Sequence, residues 1–543
     1  MHIKSFPLPF ATSLLSDYLS DAPNIRSFFP TDFRNDWREV LAARSKFSLP
    51  RKAVQEALER QSRARGASAE TLANIAKLSD PNTLAVVTGQ QAGMLGGPLY
   101  TFYKTMTVLK LTASLQRRYP QYHFIPVFWL EVNDSDFAEI NHLHYIDKQN
   151  ELQRLSLPEG AHDQLKPIAA RRISGEIGQW RQKLQEDFFD TEFKAAALDR
   201  FLGRYQASHS YAEAFAGLLN DFFRAYGLVL IDPTDDALLQ LSVPRFQQAL
   251  DEAPALYARF SDQSEAVAAA GYPAQIKPVP QQTFLFFQDE SGQRVRIDYR
   301  DDGRLALNYP DKVQNVTAAE LRQRLNATSA RLLPNVAMRP LMQDSLLPTA
   351  AYVAGPGEIA YFAQLGALYR YFEIPMPVIY PRHSLTIVEG KLQKNIRKFA
   401  LDYPTLLANR PDFIQYYLEN FGDQTLYRAL ENTGKQIDES LEALQKIIET
   451  ADPTLLSPLE KTRQSIDNNF QKFSSRITRS LEEKSKIEVQ QLEKILANLL
   501  PDQNYQERVL SMVYFCIKYG LDFVDRLYAA LPDAVDKHHV VEL

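Results

Sequence analysis

Carboxylate side chains that could do chemistry follow two of the chain's apolar runs. Asp134 and Asp136 come after the run 124–130, and Glu358 comes after the run 350–353 and a glycine turn. In open α/β sheets, ligands bind just beyond the carboxyl ends of strands, so a ligand is expected near these residues. The two aspartates could hold a cation, bind an ammonium group or accept a proton. Alternatively, either aspartate could cap a following helix, and Glu358 could be an ordinary charge in a first helical turn.

A glycine-rich turn over residues 88–98 is a second candidate site. It follows the apolar run 84–87 and precedes a segment with helical spacing. Its glycines are Gly89, Gly93, Gly96 and Gly97. A strand, a glycine turn and a helix together present backbone N–H groups and a helix N-terminus to an anion such as phosphate. The spacing matches neither the dinucleotide pattern nor the P-loop pattern, so a tight turn without a ligand is the alternative.

Histidine and cysteine residues do not predict a metal site. His142 and His144 are two residues apart, which places both on one side of a strand, but no further ligands are evident nearby. Cys516 is the single cysteine, so the chain forms neither an internal disulfide framework nor a multi-cysteine zinc site. Its apolar neighbours are typical of a buried structural cysteine rather than a catalytic thiol.

Composition and charge exclude several classes of function. The 543 residues carry a net charge of −5, so bulk electrostatics do not predict nucleic-acid binding. No apolar run reaches the roughly 18 residues of a membrane helix, and the N-terminus lacks the pattern of a signal peptide. We therefore expect a soluble cytoplasmic protein with neither a nucleic-acid nor a membrane partner.

Short apolar runs predict the buried strands of an α/β fold. They are 84–87, 124–130, 227–232, 350–353 and 377–380. Residues 1–80 are predicted to be mostly helical, including one helix over 51–78. The core domain is expected to span residues 1–390.

Two insertions are predicted within this core. Residues 150–222, which are charged, are expected to be helical. Residues 271–330 are expected to form a small antiparallel meander, with strands at 284–287, 294–299 and 305–308 and a short helix behind a Thr317 cap.

The composition shifts from about Lys391 towards a helical hairpin. Residues 423–500 are nearly free of glycine and carry apolar residues three and four apart. The apolar positions are Ile437, Leu441, Leu444 and Ile448, then Ile466, Phe470, Phe473, Ile477 and Leu481. This heptad-like pattern predicts an antiparallel coiled-coil domain over 391–505, with its tip at 450–454 and a role in packing or dimerisation. Residues 506–543 are predicted to form a C-terminal helix that returns to the core.

Several blocks of the chain, taken in order, resemble one family. The blocks are 87–104, 126–142, 226–233, 334–365, 377–384 and 506–527. They are similar to the bacillithiol biosynthesis cysteine-adding enzymes, which are cysteine ligases. The resemblance implies a Rossmann-like core of the nucleotidylyl-transferase type with connecting insertions, a coiled-coil arm and a homodimer. It also implies a reaction that joins L-cysteine to the amine of glucosaminyl-malate, completing bacillithiol.

The resemblance comes with two departures. The family typically has Glu-Asp-His-Asp after its Phe-Trp strand, and this chain has Asn133-Asp-Ser-Asp136. The histidines of the related synthetase HIGH signature are also missing, because the helix entry here is Gly97-Pro-Leu-Tyr-Thr101. If a nucleotide binds at this turn, we expect it to be held mainly by backbone and hydroxyl donors.

Amide formation from a free carboxylate is uphill in water, so the resemblance implies activation, with ATP the expected cosubstrate. The candidate residues for phosphate or nucleotide binding are Gly89, Gly96, Gly97, Thr101 and Lys391. The candidate catalytic residues are Asp134, Asp136 and Lys104. The candidate substrate-binding residues are Gln90, Tyr100, Asn133, Arg339, Glu358, Tyr361 and Arg382, with the arginines placed to pair with malate carboxylates. Whether a metal is needed is left open, and each lysine or arginine could instead be a surface charge.

A function of a different class is the alternative to a ligase. The chain could be a non-catalytic scaffold that binds a nucleotide or a sugar and recruits a partner enzyme through its coiled coil. The missing histidines favour the scaffold, whereas the glycine and aspartate blocks favour the ligase.

Overall fold

The computed structural model describes residues 1–9, 11–161, 163–408, 412–421, 424–484 and 486–543. The chain divides into two compact units. The first unit comprises Met1–Ile387 and Gln506–Val541, and the second comprises Val388–Tyr505 and Glu542–Leu543.

The strands of the described residues fall into four sheets. In chain order they are β1 (His2–Pro7), β2 (Thr83–Gln91), β3 (His123–Glu131), β4 (His142–Ile146), β5 (Leu152–Ser156), β6 (Val229–Ile231), β7 (Gln282–Gln288), β8 (Arg294–Tyr299), β9 (Leu305–Asn308), β10 (Val313–Val316), β11 (Arg331–Pro334), β12 (Thr349–Ala354), β13 (Val378–Pro381), β14 (Ser384–Val388) and β15 (Lys537–Glu542).

The α-helices of the described residues surround these sheets or form the second unit. In chain order they are α1 (Ser13–Ser20), α2 (Arg38–Lys46), α3 (Arg51–Ala64), α4 (Ala69–Ala76), α5 (Leu99–Arg118), α6 (Ile177–Asp187), α7 (Lys194–Arg204), α8 (Tyr211–Phe223), α9 (Asp236–Asp251), α10 (Ala253–Ala269), α11 (Ala318–Ala327), α12 (Met338–Leu346), α13 (Pro356–Tyr371), α14 (Gly390–Lys398), α15 (Tyr403–Leu407), α16 (Phe413–Phe421), α17 (Gln424–Ala451), α18 (Leu456–Lys484), α19 (Lys486–Leu499), α20 (Gln506–Val509), α21 (Met512–Tyr519) and α22 (Phe523–Ala530).

A five-stranded parallel sheet forms the core of the first unit, in the order β13-β12-β2-β3-β6. The predicted α/β class is confirmed. The sheet is buried on both faces, which explains why its strands read as short apolar runs. From β2 the chain proceeds through β3 and β6 to one side, whereas β12 and β13 lie on the other side. The strand order therefore reverses between β2 and β12, and such a switch point opens a crevice at the carboxyl ends of the strands.

The predicted meander is confirmed and is larger than expected. Its strands β7, β8 and β9 match the predicted runs, and β10 and β11 extend the antiparallel order to β10-β9-β8-β7-β11. Helix α11 begins at a capping box in which Thr317 and Glu320 bond each other's backbone N–H groups, as the sequence predicted for Thr317.

Two predictions about the flanking segments are wrong, and a third is incomplete. Helices α3 and α4 replace the single helix over 51–78, because Gly66 takes a φ of +69° and breaks it. The insertion predicted to be helical contains α6, α7 and α8, but it also contains strand β5, which pairs with β4. Residues 506–543 form three short helices and strand β15 instead of one helix, and β15 lies between β1 and β14 in a third sheet.

Two long helices dominate the second unit. Helices α17 and α18 are joined by a short turn over residues 452–455, in which Asp452 accepts a hydrogen bond from Thr454 N. The predicted tip at 450–454 and the antiparallel hairpin are confirmed. Gly434 allows close packing between the helices, because a Cβ there would lie 3.1 Å from the ring of Phe470.

Candidate active site

A cavity of about 740 Å³ lies at the carboxyl ends of β2, β3 and β12. This position is the switch point of the sheet, where ligands bind in open α/β proteins. Nine predicted site residues line the cavity: Gly89, Gln90, Tyr100, Lys104, Asp134, Arg339, Glu358, Tyr361 and Arg382.

A buried ion pair between α5 and α13 forms one wall of the cavity. Lys104 Nζ lies 2.5 Å from Glu358 Oε2 and donates a hydrogen bond to the carbonyl of Gly89 at 2.8 Å. The Glu358 carboxylate accepts hydrogen bonds from Gly355 N and from the hydroxyl of Tyr352, each at 2.7 Å. Glu358 therefore lies in the first turn of α13 and also lines the cavity. The two interpretations of this residue from the sequence, a helix charge and a ligand-binding residue, do not exclude each other.

Burial and pairing act in opposite directions on this ion pair. Burial lowers the pKa of Lys104, and the adjacent Glu358 partly offsets the effect. Burial raises the pKa of Glu358, but Lys104 and the hydrogen bonds from Gly355 and Tyr352 outweigh it and leave that pKa below its ordinary value. Glu358 is therefore ionised at neutral pH, and the pair fixes the end of β2 to the start of α13.

The predicted phosphate-binding turn lines the cavity only at its start, through residues 89–91, and its later part contacts protein groups. Gly96 N donates to the hydroxyl of Tyr205 at 3.2 Å, and Leu99 N at the start of α5 donates to Leu510 O at 2.8 Å. These bonds occupy N–H groups that a phosphate would need. Of the predicted nucleotide-binding residues in this segment, only Gly89 lines the cavity.

Close packing explains the glycines of the turn. A Cβ at Gly93 would lie 2.8 Å from the Cα of Gly97, and Gly97 itself has a φ of +69°. Thr101 is fully buried on α5, and its hydroxyl has no hydrogen-bond partner within the described residues. Gly96, Gly97 and Thr101 thus lie outside the cavity wall.

The three polar residues predicted after β3 have different positions. Asp134 lines the cavity, lies 3.6 Å from Arg294 and accepts a hydrogen bond from Gln91 at 3.4 Å. Asp136 is exposed and Asn133 is fully buried, and neither lines the cavity. No helix follows within the next residues, so neither aspartate is a helix cap.

The two predicted carboxylate-binding arginines already have partners. Arg382 Nη2 donates to Glu507 at 2.6 Å, and the guanidinium lies over the ring of Tyr100. Arg339 Nε lies 3.5 Å from Glu131 Oε2, whereas its buried Nη2 has no hydrogen-bond partner among the described residues. One buried donor of Arg339 is therefore unbonded within the described residues, and the charge of Arg382 is largely balanced by Glu507.

Sequence reasoning missed Glu131, the last residue of β3. It lines the cavity, and its side chain is 23% exposed. Burial raises the pKa of Glu131 to about 7, with Asp134 adding to the shift and Arg339 opposing it. A signal was present, because Glu131 directly follows the apolar run that predicted the strand.

Three cationic residues were also missed. Arg294 comes from β8 and stacks on the ring of Phe286, with its guanidinium carbon 3.5 Å from the ring centroid. Lys277 and Arg508 line the cavity, are exposed and have no ion-pair partner in the described part of the chain. These residues are distant in sequence from the apolar runs, so no local pattern marks them.

Comparison with known proteins assigns the family. The model of the bacillithiol biosynthesis BshC N-terminal Rossmann-like domain matches residues 1–383, and that of the BshC C-terminal coiled-coil domain matches residues 385–543. The chain belongs to the BshC family. A relative from Salinibacter ruber is 34% identical over 97% of this chain and 96% of its own length. A relative from Chloroherpeton thalassium is 32% identical over the whole of both chains. Both are named "Putative cysteine ligase BshC".

The cavity of this BshC family member carries more positive than negative side chains. Its cationic residues are Lys104, Lys277, Arg294, Arg339, Arg382 and Arg508, and its anionic residues are Glu131, Asp134, Glu139 and Glu358. Such a lining favours an anionic ligand and still offers carboxylates for an ammonium group.

The remaining residues considered in the sequence are Lys391 and the two histidines. Lys391 is exposed on α14 of the second unit. His142 and His144 lie on one face of β4, with ring centroids 4.8 Å apart. Among the described residues there is no group of three or more His, Cys, Asp or Glu that could hold a metal, and no helix long and apolar enough to cross a membrane.

Proposed function

We propose that this chain is a cysteine ligase that joins the carboxyl group of L-cysteine to the amine of glucosaminyl-malate, the last step of bacillithiol biosynthesis. Family membership supports the proposal, since relatives matching over the full length carry the ligase name. The observation that carries it is the charge of the cavity, with its six cations and four carboxylates at the switch point. Glucosaminyl-malate has two carboxylates and one amine, which matches this excess of positive charge.

The cations that have at least one unbonded donor are the proposed anchors for the malate carboxylates. Arg508 and Lys277 have no ion-pair partner among the described residues, and Arg339 has a spare buried donor. A guanidinium fork bonds a carboxylate through two donors, so Arg508 and Arg339 are the stronger anchors. Asp134 is proposed to bind the ammonium group of cysteine or of the sugar.

ATP is the proposed source of activation, because amide formation from a free carboxylate is uphill in water. The turn at Gly96 and Gly97 does not fit its phosphates, since Tyr205 and Leu510 occupy N–H groups there. Lys104 and Arg382 are the cations of the cavity wall that are proposed to face phosphate charge. The purified protein, given cysteine, ATP and glucosaminyl-malate, should form the amide and consume ATP.

The two aspartates after β3 provide a paired test of the cavity. We expect Asp134→Ala to abolish bacillithiol production, because Asp134 lines the cavity, and Asp136→Ala to leave production near wild type, because Asp136 is exposed outside it. Thiols would be measured by mass spectrometry in a deletion strain carrying each variant, with protein levels checked. Wild-type thiol levels with Asp134→Ala would contradict the assignment.

Deletion of the gene tests the pathway step itself. We expect the deletion strain to lose bacillithiol and to accumulate glucosaminyl-malate. An unchanged thiol profile would reject the ligase proposal. Amide formation by the purified protein would also exclude a non-catalytic scaffold.

We further propose a cytoplasmic homodimer to which the coiled coil contributes. Helices α17 and α18 expose large apolar side chains, including Leu444, Ile447 and Phe473, and exposed apolar patches commonly mark interfaces. Sedimentation should give twice the monomer mass. Ile447→Lys or Phe473→Lys should shift the protein towards monomer.

A further inference from the structure

Glu131 is the carboxylate that the end of β3 directs into the cavity. In the parallel ladder it pairs with Gln91 of β2, so it lies where the two central strands end. Its side chain is largely buried and lines the cavity, with Arg339 at 3.5 Å as its ion-pair partner. Neither the binding of the malate carboxylates by Arg508 and Arg339 nor that of an ammonium group by Asp134 uses Glu131.

The proposed reaction requires a base. An amino sugar binds mainly as its ammonium form near neutral pH, and an ammonium nitrogen has no lone pair with which to attack a carbonyl carbon. A carboxylate in a poorly solvated site can accept that proton when its proton affinity is near that of the medium. The base must therefore be a cavity carboxylate whose oxygens are not fully bound.

The other three cavity carboxylates are less suited to this task, and Glu139 is exposed to solvent. Glu358 is held by Lys104, Gly355 N and Tyr352, so its oxygens are occupied. Asp134 is 40% exposed and accepts hydrogen bonds from Ser135 N and Gln91. Glu131 has only the longer contact to Arg339, and burial raises its pKa to about 7.

We propose that Glu131 is the general base that removes a proton from the acceptor's ammonium group before the amide forms, an inference that rests on the proposed ligase function. The proton passes from nitrogen to a Glu131 oxygen, leaving a neutral amine. The nitrogen lone pair then forms the C–N bond with the activated cysteine carboxyl carbon. The bond from that carbon to the oxygen of the phosphate or nucleotidyl leaving group breaks, and its electron pair departs with that oxygen. The second proton on nitrogen is lost to water.

The groups that face Glu131 set the direction of its pH dependence. Arg339 of α12 and Arg294 of β8 favour the charged form, whereas Asp134 and Glu358 disfavour it. The base is active when ionised. The kcat/KM of the wild type should therefore fall as pH drops below about 7, in addition to the fall set by the substrate amine.

The test compares Glu131→Gln with Glu131→Asp and with Glu290→Gln, a control in an exposed turn between β7 and β8. Glu131→Gln keeps the side-chain volume and removes the base. We expect kcat to fall about 100- to 10,000-fold, with KM little changed and the acidic limb near pH 7 lost. Glu131→Asp should retain part of the activity, and Glu290→Gln all of it. Amide formation would be measured in purified protein and bacillithiol in the complemented deletion strain.

The outcomes separate the two proposals. If the wild type makes product in neither setting, the ligase proposal fails, and the role of Glu131 fails with it. If the wild type makes product and Glu131→Gln matches it, only the role of Glu131 is overturned. A loss confined to KM, or an acidic limb kept in Glu131→Gln, also overturns the role, because Glu131 would then bind substrate without accepting its proton.

Discussion

Lys104 and Glu358 illustrate how single residues hold the cavity together. Each side chain loses solvation, and neither would be stable there as an unpaired charge. The pair joins α5 to α13, and the Gly89 carbonyl adds β2 to the same contact. Sequence reasoning selected both residues, but it assigned them separate roles because nothing in the local pattern indicates that they meet.

Removing the cation alone should be strongly destabilising. In Lys104→Met the Glu358 carboxylate stays buried without its partner, and we expect a loss of about 3–5 kcal/mol in the free energy of unfolding. The double variant Lys104→Met/Glu358→Gln should lose less than the sum of the single variants. Urea denaturation of the four proteins gives the coupling energy.

An exposed ion pair provides the matched control. Arg63 pairs with Glu59 along α3, and both side chains are well exposed. Arg63→Met should change stability by less than about 1 kcal/mol. If Lys104→Met were as mild as Arg63→Met, the buried pair would not stabilise the contact between α5 and α13.

At the level of elements, local pattern located most core strands and the hairpin correctly. Strands β2, β3, β12 and β13 lie in the central sheet and each contains a buried apolar run, so burial on both faces is visible in their composition. Strands β1 and β15 were missed because both are short and mix polar with apolar residues, as helices and loops also do.

The candidate site was only partly predictable from local sequence pattern. Local pattern marks strand ends and glycine turns, which led to Asp134, Glu358 and Gly89. It does not show which distant segments meet there, so Arg294 of β8 and Arg508 of α20 could not be found. Local pattern also does not distinguish a turn whose N–H groups face a ligand from one whose N–H groups bond protein carbonyls. Here the Leu510 carbonyl accepts the hydrogen bond of Leu99 N.

The glycine turn before α5 should be sensitive to a single methyl group. In Gly93→Ala the new Cβ would lie 2.8 Å from the Cα of Gly97, a backbone atom that cannot turn away. We expect a loss of about 1–3 kcal/mol in unfolding free energy, as for other overpacked sites. Thermal denaturation would measure the loss.

The control for this change is Gly178→Ala in α6. A Cβ at Gly178 meets nothing within 4 Å, and alanine is the better helix former by about 1 kcal/mol. The control should therefore be neutral or slightly stabilising. Equal stability of Gly93→Ala and Gly178→Ala would contradict the packing explanation.

At the scale of the whole molecule, buried histidines link stability to pH. His383 and His538 are buried in the first unit, where hydroxyls and a carbonyl bond their ring nitrogens. Burial lowers the pKa of each to about 4. An unfolded chain takes up these protons at about pH 6.5, well before the folded protein does.

The contribution of these two histidines to the free energy of unfolding should therefore be constant above about pH 7. It should fall as the pH drops from about 6.5 to 4. Each histidine contributes a loss of about 3 kcal/mol at the acid end. Urea denaturation at pH 7.5, 6 and 4.5 would show the trend. His538→Gln should weaken the pH dependence, whereas His209→Gln, at an exposed position, should not change it. A flat profile in the wild type would contradict the prediction.

The return of residues 506–541 to the first unit has a consequence for translation. Three residues near the cavity leave the ribosome only after residues 388–505. They are Glu507, which pairs with Arg382, then Arg508, and then Leu510, whose carbonyl accepts the hydrogen bond of Leu99 N. A nascent chain that ends before these residues lacks β15, the strand between β1 and β14, and its Arg382 lacks the Glu507 partner. The cavity is therefore assembled late in synthesis, and a ribosome stalled earlier would release a fragment without ligase activity.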